Sequence, residues 1–356
     1  MEGQHWLIQS RNSDEGRIME SNFYHEWLNS AKRAAAERAE AKIHSRGRDL
    51  NWIITPQDSR MAMLAGPEGG FKTMGGCVLI GEIPAGWKTG CHRHGEESIY
   101  ILEGEGHSLI GGKKYSWEAG DCLQIYSEVS HQHFNTGSRP VLYLQAMLAP
   151  LEAFIGVLNY VQESEAGILS DQEKREHASL PEGDSGMEYS GKILMDEAAA
   201  SGGPVEDPYE RTKRIREAGR AYLAGRVILR KRDTQWKPTK QAGMRCALIT
   251  HERGFTYRAV NMSLINEVPP RWHTGRHIHA EAMIYVLEGK GYSIIDGKRY
   301  EWEAGDLLHV QGPHTDHQHF NTQDTPVRYM RIGFTIRDLY PNYDKKEQVS
   351  YSGKIT

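Results

Sequence analysis

The sequence predicts an all-β core of two tandem antiparallel barrels, preceded by an N-terminal helix and joined by a helical and irregular linker. Three observations lead there. Between 81–121 and 266–306 the offset is a constant 185, and 24 of the 41 paired positions are identical. A match of that length marks a duplicated structural unit. Within each copy, short β-branched and aromatic runs are punctuated by Gly and Pro turns with no helices between them, which argues against a parallel sheet. A chain of 356 residues also has the length of two ordinary domains.

In chain order, residues 1–50 are expected to form an arm and helix, 51–150 the first barrel, 151–240 a linker, 241–336 the second barrel and 337–356 a tail. Residues 17–46 read as one helix, because Phe23, Trp27, Ala31, Ala34 and Ala35 recur at three- and four-residue spacing. Gly47 stops it, and the aromatic stripe reads as a packing face. Strands are expected at Met61–Leu64, Cys77–Ile80, Ser98–Leu102, His107–Ile110, Leu123–Tyr126 and Val141–Leu144. Gly66-Pro67, Gly69-Gly70, Gly111-Gly112 and Ala119-Gly120-Asp121 supply turns, with Asp121 and Asp306 read as turn residues. Leu151–Gln162 reads as a capping helix, 163–208 as a polar linker and 209–223 as a short charged helix. The string Tyr-Ser-Gly-Lys-Ile occurs at 189–193 and 351–355, which suggests one docking strand per barrel. Arg60 and Arg245 share the common offset, as do Leu64 and Ile249, so the duplication extends upstream and the barrels should be related by an approximate two-fold axis.

Composition narrows the partners. A formal net charge of -4 leaves no basic footprint for nucleic acid. Four cysteines (Cys77, Cys91, Cys122 and Cys246) form no spaced pairs and suggest a reducing compartment. The N-terminus lacks the pattern of a signal peptide, and no apolar run approaches 18 residues, so a cytoplasmic protein away from membranes is expected. The N-terminal helix and the tail offer arms for a homo-oligomer.

The chemistry is concentrated in histidine. Eight of the 17 histidines fall in two matching sets. His92 and His94 project together, since strand residues two apart share a face, and so do His277 and His279. A later strand adds His131 and His133, or His317 and His319. Several imidazoles converging inside a barrel make one face of a metal site. Glutamate selection has two readings. Counting back from Gly104 turns Glu97 inward, whereas alternation from His94 turns Glu96 inward. We favour Glu97, which leaves Ala282 at the second-copy position. With Glu96, the second site would gain Glu281.

These residues resemble the cupin superfamily: His-x-His, then Glu, six residues and a Gly, with a second motif ending His-x-x-x-Asn. His92, His94, Glu97, Gly104, His131 and Asn135 fall on the pattern in the first copy. In the second, His277, His279, Gly289, His317 and Asn321 do so. The spacing from His-x-His to Glu is one or two residues shorter than usual. The resemblance implies tandem jelly-roll (double-stranded β-helix) barrels holding metal. The His-x-x-x-Asn count takes His131 and His317 as ligands, with His133 and His319 as acid–base or supporting groups, or as replacement ligands.

Within bicupins the chain is similar to the gentisate 1,2-dioxygenase group, through Arg60–Pro67, His92-Arg93-His94 and His131-Gln132-His133-Phe134-Asn135. Gln132 and Phe134 depart from that group's last motif, and Glu97 adds a carboxylate its three-His sites lack. The resemblance implies iron(II), O2 and a hydroxylated aromatic acid or phenol. Imidazole donors by themselves suit Fe, Mn, Ni, Cu and Zn alike. Arg60 or Arg245 is a candidate partner for a substrate carboxylate, and Trp87 or Trp272 for ring stacking. Coordination arithmetic favours the second barrel for a bidentate substrate, since three His leave three positions open, whereas the family resemblance points to the first. Competing readings are a non-oxidative bicupin enzyme, such as a manganese oxalate decarboxylase or a lyase or isomerase, and a non-catalytic binding or storage protein.

Overall fold

Short apolar strands with every other side chain turned inward dictate the architecture. A computed structural model describes residues 22–183, 225–339 and 347–355, together with Asp207 and Tyr209. The string at 189–193 and most of the helix expected at 209–223 lie outside the described residues. Two compact units separate at Glu40. The N-terminal unit contributes the helix Phe23–Glu40, which ends before the expected 46, while 17–21 lie outside the described residues; its Phe23, Tyr24, Trp27 and Leu28 are exposed. No described helix is long and apolar enough to cross a membrane.

The described residues from 41 onward form four antiparallel sheets in two pairs. In the first barrel, the six-stranded sheet runs Ile228–Leu229, Cys122–Ile125, Glu97–Glu103, Val141–Met147, Cys77–Ile83 and Arg60–Ala65. The facing sheet carries Val161–Gln162, His92–Arg93, His131–Asn135, Trp87–Lys88 and Gly167–Ile168, with the hairpin Glu105–Ile110 and Lys113–Glu118 beside it. The second barrel repeats this plan.

The strand Glu97–Glu103 separates two cores. Ile99 and Ile101 point into the first barrel, with Tyr115, Trp117 and Tyr143. Tyr100 and Leu102 point the other way, into a core shared by both barrels. The second copy divides in the same fashion, with Ile284 and Val286 inward and Met283 and Tyr285 in the shared core. Apolar faces on both sides of one sheet leave neither barrel's shared face in water, so the two fold as one body.

The barrels also exchange edge strands. Ile228–Leu229, which leads into the second barrel, pairs with Cys122–Leu123 of the first. His44–Ser45, which leads into the first, pairs with Leu307–Leu308 of the second. Asp121 and Asp306 close their turns by accepting from the Glu118 and Glu303 N–H groups, and each also fixes an incoming segment. Asp121 Oδ1 accepts the Lys231 N–H at 2.7 Å, and Asp306 Oδ1 accepts the Gly47 N–H at 2.9 Å.

The segment expected as linker does more than connect. After the helix Ala149–Phe154, Val161–Gln162 pairs with His92–Arg93, and Gly167–Ile168 pairs with Trp87–Lys88. Glu347–Gln348 and Gly353–Lys354 make the corresponding pairs in the second barrel. The counterpart of the C-terminal docking strand in pairing is 165–169.

Glu96 belongs to the junction between barrels. Its carboxylate accepts the backbone N–H groups of Arg258, Ala259 and Val260 at 2.8–3.1 Å. Glu281 makes the matching contact with the Met74 N–H at 3.0 Å and with His309 at 2.7 Å. A buried carboxylate with three N–H donors loses several charge-assisted bonds when truncated. Glu96→Ala is expected to cost about 2–4 kcal/mol of unfolding free energy, measured by denaturant titration. A change below about 0.5 kcal/mol would remove Glu96 from this role.

Candidate metal centres

The inward face of Glu97–Glu103 decides the carboxylate. Because Ile99 and Ile101 are inward, Glu97 is inward too, and Glu96 is left to the junction. Gly104 makes this register possible. Its φ of +90° is left-handed, and a Cβ there would meet Val141 at 2.7 Å. Gly90 has a different role, since a Cβ would strike the Ser164 carbonyl at 2.4 Å, where the strap 161–168 crosses the histidine strand.

His92, His94, Glu97 and His131 converge, one ligand atom from each lying within 4.8 Å of the others. All four are buried. Glu97 Oε2 lies 3.5 Å from His94 Nε2 and 3.4 Å from His131 Nε2. Each imidazole is oriented by a backbone carbonyl: Gly90 for His92 Nδ1 (3.0 Å), Gly95 for His94 (2.9 Å) and Val129 for His131 (2.8 Å). We assign the proton to Nδ1 in each, which turns the Nε2 lone pairs inward. Those three Nε2 atoms and both Glu97 oxygens are buried with no hydrogen-bond partner. Such atoms are costly unless something binds them, so this donor set fits a divalent metal ion.

The second barrel brings together His277, His279 and His317 in the same way. Their Nδ1 atoms face the carbonyls of Gly275, Ala280 and Thr315. Ala282 occupies the position of Glu97, and among the described residues no carboxylate joins this cluster. His277 is only half-buried, and a cavity of about 460 Å³ opens on the cluster. Gln241, Arg245, Asn266, Tyr329, Arg331 and Gln348 line it.

His133 and His319 stand apart from the ligand atoms. Ser108 Oγ meets His133 Nδ1 at 2.6 Å while accepting the Trp117 N–H at 2.8 Å. Ser293 and Trp302 repeat this at His319, at 2.7 and 2.8 Å. With one lone pair of the serine taken by tryptophan, its hydroxyl is set to donate to Nδ1. This places the imidazole proton on Nε2 and makes these two rings donors, the opposite of the ligand histidines. Asn135 and Asn321 fix turns by bonding to nearby carbonyls.

Arg60 lies outside the site. It is half-exposed, bonded to Glu82 and stacked over Trp52 at 4.7 Å. Arg60 pairs with Glu82, but Arg245 pairs with Asn266 and Met244 with Glu267. The upstream strands are thus one residue out of step with the shared offset, and a one-residue slip exchanges faces. Arg245 faces its cavity, and Met61 is its counterpart. Trp87 and Trp272 pack at the edges of the barrel cores. Sequence reasoning missed Gln57, Asp58, Tyr143, Gln145 and Tyr160 around the first cluster, and Gln241 and Arg331 around the second. Alternation along 141–147 would have found Tyr143 and Gln145, but no local signal marked the others.

Burial shifts the titrations. It drives the His92 imidazole down to about 3, with the neighbouring His131 adding to the effect, and those of His94 and His131 down to about 4. It pushes the carboxyls of Glu97 and Asp58 up to about 7. His319 falls to about 3.

The sequence pattern of the Cupin domain matches residues 79–147 and 264–333. The chain therefore carries two cupin domains in tandem, the arrangement of a bicupin. It is similar to gentisate 1,2 dioxygenase 1 of Aquipseudomonas alcaligenes, at 23% identity over 239 residues, covering 65% of this chain and 61% of that relative. A gentisate 1,2-dioxygenase of Ralstonia sp is 29% identical over 105 residues, covering 28% of this chain and 29% of that one. The matches thus span less than two thirds of these relatives' lengths. Among solved structures, salicylate 1,2-dioxygenase of Pseudoaminobacter salicylatoxidans with gentisate superposes with a TM-score of 0.55 at 14% identity, covering 91% of this chain and 83% of that one. Oxalate decarboxylase of Bacillus subtilis superposes with a TM-score of 0.55 at 15% identity, covering 82% and 77%. These two likenesses establish a shared fold.

Two measurements test the centres. Elemental analysis after dialysis should find two divalent ions per wild-type chain, one in Glu97→Ala or His94→Ala, and one in His277→Ala. An unchanged content would remove that residue from the ligand set. The second concerns pH. Below 6.5 the unfolded chain protonates imidazoles that the folded chain holds neutral to about 4 or lower, so their contribution to stability falls as pH falls from 6.5 toward 4. Glu97 and Asp58 act oppositely, since folding lets them keep protons up to about 7. Burial also lowers His107, His133 and His317, so the imidazoles outweigh the two carboxyls and metal-free protein should lose stability between pH 6.5 and 5, read from denaturant midpoints.

Proposed function

We propose that this bicupin is a metal-dependent dioxygenase, with iron(II) as its metal, that opens the ring of a hydroxylated aromatic acid at the second barrel. The observation that carries this is the three-His cluster without a carboxylate, set beneath a cavity of about 460 Å³ lined by two arginines. The similarity to curated gentisate dioxygenases supports the reaction class. His277, His279 and His317 would hold the iron, whose redox chemistry supplies the electron coupling that lets O2 react with a closed-shell ring.

The remaining work falls to the chain. Arg245 and Arg331 bind and orient the carboxylate, as guanidinium groups suit planar, paired recognition. Asn266 holds the Arg245 Nε at 3.0 Å, and Ser263 meets the Arg331 Nη1 at 3.2 Å, so both heads are pre-positioned. Gln241 lies against the Nδ1 side of the His277 ring and steadies it. His319, with its proton on Nε2, can donate to an oxygen that gains charge. Tyr329 is buried beneath it.

A second reading is favoured by the first cluster, where Glu97 joins three imidazoles as a fourth donor. Four protein donors leave fewer positions for a chelating ring substrate and suit non-oxidative chemistry, such as decarboxylation of a small acid. Oxygen uptake separates the two. With anaerobically loaded iron(II), stoichiometric uptake is expected with a salicylate- or gentisate-type acid, lost in His277→Ala and retained in Glu97→Ala. Arg331→Gln should raise KM at least about tenfold, as expected for losing a charge-assisted bond. Absence of uptake across a panel of hydroxybenzoates would sink the dioxygenase reading.

A further inference from the structure

A cavity of about 570 Å³ lies between the barrels, on the outward side of the strands Glu97–Glu103 and Ala282–Glu288. None of the candidate metal ligands lines it. The two copies contribute alike. Tyr100, Leu102 and Glu103 line it with Tyr285, Leu287 and Glu288, each pair at the shared offset of 185. Trp52 and Trp236 line it too, and they correspond in the fold, since Ile53 bridges Met61 as Lys237 pairs with Arg245. The space has the size of a small-molecule site and mostly apolar walls.

Two polar groups in it are unmatched. Tyr100 and Tyr285 are only 9% and 4% exposed. Among the described residues neither phenol hydroxyl has a hydrogen-bond partner, whereas those of Tyr126 and Tyr143 bond to the Arg226 carbonyl and to Asp58. Buried tyrosines ordinarily pair their hydroxyls. Two equivalent tyrosines that do not, at one cavity, hold donors ready for something that enters it.

Charge narrows what that is. Arg328 is held by Glu267 at 2.8 Å and Glu288 at 3.2 Å, and it lies over the Trp236 ring. The other charged lining residues, Glu103 and Lys231, are exposed and add one charge of each sign. The lining therefore carries no excess charge to draw an ion, while its tryptophans and leucines favour a flat apolar body.

We propose that this junction cavity binds an uncharged ring compound, of about two fused rings, that carries a carbonyl or ether oxygen. Its rings lie among Trp52, Trp236, Leu102 and Leu287, and its oxygen accepts from the Tyr100 or Tyr285 hydroxyl. The site is separate from both metal clusters and stands whether or not the second barrel is a dioxygenase.

Fluorescence titration of the metal-loaded full chain with prodan, a neutral propionyl-substituted dimethylaminonaphthalene, tests it. The expected result is a blue-shifted emission that saturates at one probe per chain and is reversed by acetylnaphthalene but not by naphthoate. Affinity should fall about three- to tenfold in the Tyr100→Phe, Tyr285→Phe double variant, as expected for losing a neutral hydrogen bond, and be unchanged in Arg245→Gln. Absence of saturable binding, the result expected if water alone serves the two hydroxyls, would overturn the proposal. So would full affinity in the double variant, displacement by naphthoate as effective as by acetylnaphthalene, or loss of binding in Arg245→Gln. Saturation and competition are read on the unaltered chain, so they decide the matter even if the phenylalanine variant fails to fold.

Discussion

The strict alternation of side chains along Glu97–Glu103 is the constraint on which the molecule depends. Its inward residues make the first barrel's core and place Glu97 among the histidines, while its outward residues build the core shared by the barrels. Glu96, one residue earlier, reaches across to three backbone N–H groups of the other barrel. Moving this strand by one residue would take a carboxylate from the metal cluster, expose isoleucines at the junction and leave those N–H groups unmet. Ligand choice and domain association are therefore one property of the chain.

Duplication preserved this frame while the interiors diverged. The carbonyl-anchored histidines, the Trp–Ser–His relay and the aspartates that pin exchanged strands all recur. Side chains facing the clusters do not. The first interior gained carboxyls and glutamines and is closed by Tyr160, whereas the second gained arginines and opens on a cavity.

Backbone carbonyls give the histidines their roles. Ligand imidazoles are held by carbonyls near their own position in the chain, so the strand geometry that places the ring also sets its tautomer. His133 and His319 take a serine hydroxyl instead, which distinguishes them from His131 and His317 two residues away.

The sequence by itself determined the duplication, the all-β class and the two histidine sets, because each is written in local spacing: period two along strands, glycine at turns, and one offset linking the copies; it favoured Glu97 over Glu96, but two opposed counts left that choice to the structure. Tertiary structure decided the rest. It put Arg60 outside and Arg245 inside, since an upstream register slip is invisible to an offset judged by residue identity. It recruited 161–168 as the first barrel's strap, because backbone pairing needs no particular side chains. It also gathered Gln57, Asp58, Gln145 and Tyr160, which are up to 103 positions apart, around one cluster. Their proximity arises only when the barrel closes, and no short-range pattern encodes it.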